Sequence, residues 1–138
     1  MITVKNFETC EKQINEQNGN KFSVKSIMVN KNGLHADFVE VEPQNFAYGY
    51  HWHEVNEEAF YIISGAGIVK TPEGEIKVEK GDIINFPTGE QGAHVIRNAS
   101  ETEKLIYLDF GINNIAEIVH FPEIDKIMAI GPYSNGIY

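Results

Sequence analysis

From Lys21 onward the chain alternates short apolar-rich runs with turn residues. Phe22–Val29 is closed by Asn30-Lys31-Asn32-Gly33, and Ala36–Val41 by Glu42-Pro43. Ala47–His53, Glu58–Ile63, Ile68–Thr71, Ile76–Glu79, Ile83–Phe86, His94–Asn98, Lys104–Phe110 and Ile115–His120 continue the pattern. Short runs bounded by Gly, Pro and Asn predict strands, and many of them at close spacing predict an all-β barrel or sandwich. Pro72-Glu73-Gly74 between two such runs predicts a hairpin turn. Ahead of the strands, Phe7, Cys10 and Ile14 fall on one side at helical spacing, which predicts a short helix over Phe7–Gln17, closed by Asn18-Gly19-Asn20. The tail beyond Pro122 mixes apolar residues with Gly131, Pro132 and Gly136 and is expected to pack across the barrel or onto a partner subunit.

A chain of 138 residues fits one domain. The expectation is a single domain over 1–138, with a barrel over about 22–121 and peripheral segments at 1–20 and 122–138. The formal net charge of −9, from 11 basic and 20 acidic residues, argues against nucleic acid and against an anionic membrane surface. Cys10 is the only cysteine, which excludes an internal disulfide and any multi-thiolate metal site. The first residues contain no apolar run of the kind a signal peptide needs, and a cytoplasmic location is expected.

The candidate chemistry begins at His51-Trp52-His53. On a strand, residues two apart point to one face about 6.5–7 Å from each other, so both imidazoles can converge on one ion while Trp52 packs on the other face. Glu58 heads the apolar run Ala59-Phe60-Tyr61-Ile62-Ile63, where a carboxylate is costly unless it is paired or binds a cation. By alternation Glu58 shares the inner face with Phe60 and Ile62, and Glu57 points the other way. His94 opens another apolar strand, after Gly92-Ala93. Three imidazoles and a carboxylate form a nitrogen and oxygen donor set suited to zinc, iron, manganese, nickel or cobalt. Tyr50, Tyr107 and Asp109 are candidate acid–base groups. His35 is expected at a surface strand start and His120 in a structural role. Asn98 is expected either behind the metal ligands or capping a turn.

The stretch Gly49-x-His51-x-His53-xxxx-Glu58-xxxxxx-Gly65 resembles the first motif of the cupin superfamily, and Gly81-xxxxx-Pro87-x-Gly89…His94-xxx-Asn98 resembles the second. The resemblance implies a double-stranded β-helix, or jelly-roll barrel, holding one divalent metal ion (zinc, iron, manganese or nickel) through His51, His53, Glu58 and His94. It also implies a small-molecule ligand and a homodimer. Two departures stand out: only one residue separates Gly49 from His51, and four residues separate Gly89 from His94 where the motif has two. The implied activities are a metal-dependent isomerase or oxygenase acting on an oxygen-rich molecule, or a non-catalytic sugar-binding module with an anchoring metal.

Overall fold

The computed structural model describes residues 1–138. Its strands are β1 (Gln13–Gln17), β2 (Asn20–Val29), β3 (Gly33–Val41), β4 (Phe46–His53), β5 (Glu58–Ser64), β6 (Ala66–Thr71) and β7 (Gly74–Glu79). They continue as β8 (Ile83–Phe86), β9 (His94–Arg97), β10 (Leu105–Asn113), β11 (Glu117–Phe121), β12 (Lys126–Ile130) and β13 (Asn135–Ile137), with one 3-10 turn at Glu90–Gly92. One sheet has six strands in the order β1-β2-β3-β10-β5-β8, and the other seven in the order β13-β12-β11-β4-β9-β6-β7. All pairings are antiparallel. This is the expected all-β jelly-roll architecture.

The expected helix over Phe7–Gln17 is absent. Phe7–Cys10 forms a turn, and Gln13–Gln17 is a strand paired with β2 from Gln13↔Val24 to Gln17↔Asn20. Asn18 (φ 53°) and Gly19 (φ 79°) both take left-handed backbone, as a two-residue hairpin turn whose twist matches its strands requires. The Asn-Gly turn and the continuous ladder with β2 outweigh a three-residue apolar stripe that has nothing to pack along its length. The Pro72-Glu73 turn joins β6 to β7 as expected, with Thr71 opposite Gly74. The tail adds β12 and β13 to the edge of the seven-stranded sheet.

The inner face of the six-stranded sheet changes character along the strands. Val41 lies opposite Leu105, and Val39–Tyr107–Ile62 form the next row; all five are fully buried. Val69 and Ile96 face them from the other sheet at 0% and 1% exposure, and burying each such side chain contributes about 1.5–3 kcal/mol. Farther along the same face come Asp37–Asp109–Phe60 and then His35–Gly111–Glu58. One end of the interior is hydrocarbon. The other is polar, and it faces the histidines.

Candidate metal centre

Strand β4 delivers two histidines to one point. Its register against β9 is broken between Ala47 and His51, and within that break Tyr48 has a φ of 59°. Beyond the break His51 pairs directly with His94 of β9. The His51 ring lies 4.7 Å from that of His94 and 5.1 Å from that of His53. His51 Nδ1 is 2.7 Å from the Gly49 carbonyl oxygen, and His94 Nδ1 is 2.8 Å from that of Gly92. A carbonyl only accepts, so each Nδ1 carries the proton and each Nε2 is left as a lone-pair donor aimed inward. Phe86 stacks on His94 at 3.6 Å and holds its ring.

Glu58 arrives from the opposite sheet. Its Oε1 lies 2.9 Å from His94 Nε2, 3.8 Å from His53 Nε2 and 3.9 Å from His51 Nε2. Yet Glu58 Oε1, His94 Nε2 and His53 Nε2 are buried without a properly directed hydrogen bond. Buried polar atoms in a folded protein are nearly always satisfied. Two donors each about 2.1 Å from one ion lie about 3 Å apart at a right angle and about 4.2 Å apart when opposed. The observed spacings therefore fit lone pairs converging on a shared cation better than a hydrogen-bonded cluster. The donor atoms of His51, His53 and Glu58 all lie within 4.8 Å of one another, so these three could hold a metal ion, and His94 adjoins them through Glu58.

At Glu58 and His51 the local electrostatics favour the forms that bind a cation. Burial would raise the Glu58 carboxyl, but His94 and then the other two histidines outweigh it and hold it at about 2. Burial, followed by the neighbouring His94, pushes His51 down to about 4. His53 moves the other way: burial lowers it, but Glu117 and Glu58 together raise it. Glu117 Oε2 is 3.5 Å from His53 Nδ1, and the same carboxylate accepts the backbone N–H groups of Val55, Asn56 and Ile118 at 3.0, 2.8 and 2.8 Å. Glu117 thus orients His53 from behind, a partner for which the sequence offered one sign, a carboxylate between apolar neighbours on a strand.

The other residues singled out by the sequence fall in definite places. Glu58 is 8% exposed with Phe60 and Ile62 at 2% and 0%, whereas Glu57 is exposed and accepts from Asn85 Nδ2 at 3.2 Å. His35 is not on the surface: it sits on the inner face, with Nε2 4.0 Å from Asp109 Oδ1 and Nδ1 3.6 Å from Asp37. Because β3 begins at Gly33, alternation puts His35 in line with buried Val39 and Val41. His120 stacks on Trp52 at 3.8 Å and meets Glu54 at 2.7 Å, a structural contact on the other face of the sheet. Asn98 caps a turn, donating to the Val41 and Glu103 carbonyls and accepting from the Ser100 N–H. Of the three candidate acid–base residues, Tyr50 lies under the Lys70 ammonium, and Tyr107 and Asp109 are inside.

His51, His53, Glu58 and Asp109 open onto one cavity of about 160 Å³, walled by Tyr48, Phe60, Val119, Phe121 and Met128. Asp109 is 6% exposed and its Oδ1 has no hydrogen-bond partner. Burial, then the charge of Glu58, pushes its carboxyl well above the usual range. The Tyr107 hydroxyl on the same face is also unpartnered and fully buried.

Two sheets closed into a jelly-roll, with histidines of one facing a carboxylate of the other, define a β-barrel with a candidate metal site between its layers. The cupin domain family matches residues 37–111, and the chain belongs to that family. No curated protein sequence matches it. Among solved structures, a candidate sugar phosphate isomerase from Acidithiobacillus ferrooxidans superposes with a TM-score of 0.84 at 22% identity, covering 100% of this chain and 90% of that one. A sugar phosphate isomerase of the cupin superfamily from Silicibacter pomeroyi gives 0.84 at 16% identity, covering 99% and 92%. A predicted oxalate decarboxylase from Thermotoga maritima gives 0.70 at 20% identity, covering 80% and 99%. No helix is long and apolar enough to cross a membrane.

Proposed function

We propose that the protein is a metal-dependent enzyme that isomerises a small polyhydroxylated carbonyl compound, with His51, His53, Glu58 and His94 as the metal ligands. The observation that carries this reading is Asp109, a buried carboxyl with an unpartnered oxygen in the same cavity as the donor cluster. A divalent ion at the four ligands, whether zinc, iron, manganese or nickel, supplies Lewis-acid polarisation of a substrate carbonyl or hydroxyl. Asp109, in its ionised form, then takes a proton from the hydroxyl-bearing carbon beside the carbonyl and returns it to the carbonyl carbon. The hydroxyl proton passes to the former carbonyl oxygen, so the step balances with no further reactant. The apolar walls of Phe60, Val119, Phe121 and Met128 set hydrocarbon beside these groups, which strengthens the charge interactions there. The two structural neighbours named as sugar phosphate isomerases support proton transfer over oxygen chemistry.

The test is carbon-bound hydrogen exchange from heavy water into a panel of aldoses and ketoses, followed by NMR. Asp109→Asn should keep its metal and lose at least about a hundredfold in exchange rate, the scale for loss of a positioned acid–base group. Undiminished exchange in that variant removes Asp109 from the chemistry. Saturable sugar binding by the wild type without exchange makes the protein a binding module.

A further inference from the structure

The inner cavity of about 160 Å³ is smaller than the roughly 300–1,000 Å³ of ordinary ligand sites, so it admits only one end of a sugar-sized molecule. Tyr48 and Phe121 line both this cavity and an outer groove of about 650 Å³, so the two spaces adjoin at those rings. Tyr48 stands at the junction in left-handed backbone, a conformation that is costly for a bulky residue and gathers where side chains are aimed for function.

The groove's chemistry is specific. The register of β1 against β2 puts Asn15 opposite Phe22 and Gln17 opposite Asn20, on the face that carries buried Phe22 and Val24. Glu16, opposite Lys21 on the other face of that hairpin, also borders the groove and adds a carboxylate to its rim. The groove thus presents side-chain amides beside the rings of Phe22, Phe46 and Tyr48, with Phe46 and Tyr48 at 44% and 41% exposure. Amides exchange hydrogen bonds with hydroxyl groups in both directions, and aromatic faces accept the C–H faces of a sugar ring. Neither space is lined by a lysine or an arginine, whereas Glu58 and Asp109 stand at its inner end. A phosphate dianion would find no lysine or arginine here to pair with, and would meet carboxylates instead.

We propose that the substrate is an uncharged sugar or sugar-like polyol, its reacting carbonyl in the inner cavity and its remaining hydroxyl-bearing carbons along the groove of Asn15, Gln17, Phe46 and Tyr48. This rests on the isomerase reading and narrows it: the chain departs from the phosphorylated substrates named for its structural neighbours.

The experiment is calorimetric titration of the metal-loaded full chain with D-glucose, D-fructose, D-mannose and D-xylose, each beside its terminal phosphate ester. At least one neutral sugar should bind, with its ester at least about tenfold weaker. Phe46→Ala should weaken the neutral sugar by about fivefold to tenfold through loss of a stacking face, with metal content unchanged. Asn15→Lys, which adds a cation to the groove, should raise affinity for the ester. Tighter binding of the esters by the wild type overturns the inference and leaves the metal centre standing. So does an unchanged affinity in both variants, or no binding of any sugar by protein that holds its metal. A wild type that takes up no divalent ion instead defeats the reading of the site itself.

Discussion

At the scale of single residues, two adjacent carboxylates have opposite fates. Glu58 faces the histidines from a buried position, and Glu57 faces solvent and Asn85. Glu58→Ala should lower divalent-ion affinity by at least about tenfold, and Glu57→Ala should leave it within about twofold, as read by competition with a chromogenic chelator. The reverse order would place β5 one residue out of register. This distinction was legible in the sequence because strand alternation is local: Glu58, Phe60 and Ile62 share a face whatever the strand pairs with. His35, Asp109 and Glu117 were harder to place. Each becomes informative only through a partner far along the chain, such as Glu58 for Asp109 across β10 and β5, or His53 for Glu117 across β11 and β4. Alternation names a face, and the neighbour on the next strand comes from pairing register, which a single sequence does not display.

At the scale of elements, the segment before His94 shows how an extra length of chain is absorbed. The two residues beyond the usual motif spacing are taken up in the 3-10 turn Glu90–Gly92, which returns the chain so that His94 still pairs with His51. Gly92 serves this by closeness: a Cβ there would be driven into the backbone carbonyl of Pro87. Its own carbonyl also anchors His94 Nδ1. Gly92→Ala should therefore cost about 3 kcal/mol in urea unfolding, as overpacking against backbone does, and should release the metal as well. Full stability in that variant would show that the turn yields freely. The N-terminal hairpin teaches the complementary lesson. Its Asn-Gly turn was visible as a chain break, but the apolar spacing of Phe7, Cys10 and Ile14 competed with it, and only pairing with β2 decides between the two. Most strands were legible because turn residues bound them; β12 is a short unbroken apolar run, which periodicity alone does not assign to a strand, and β13 is a three-residue edge strand.

At the scale of the whole molecule, the candidate ligands come from both sheets: Glu58 from the six-stranded one, His51, His53 and His94 from the seven-stranded one. An ion held there ties the layers together at the end where hydrocarbon packing gives out. Saturation at about a hundredfold excess over the dissociation constant should stabilise the fold by about 2.7 kcal/mol, and a chelator should reverse the gain. Calorimetric melting with and without chelator checks this, with His53→Ala expected to show no difference. The graded interior has a longer consequence. Rows such as Val39–Tyr107–Ile62 decide whether the chain folds, and rows such as Asp37–Asp109–Phe60 and His35–Gly111–Glu58 decide what it meets. Scaffold and reagent are thereby inherited separately. A descendant can exchange its chemistry at the polar rows while the hydrocarbon rows keep the same barrel, and kinship of shape then outlasts kinship of trade.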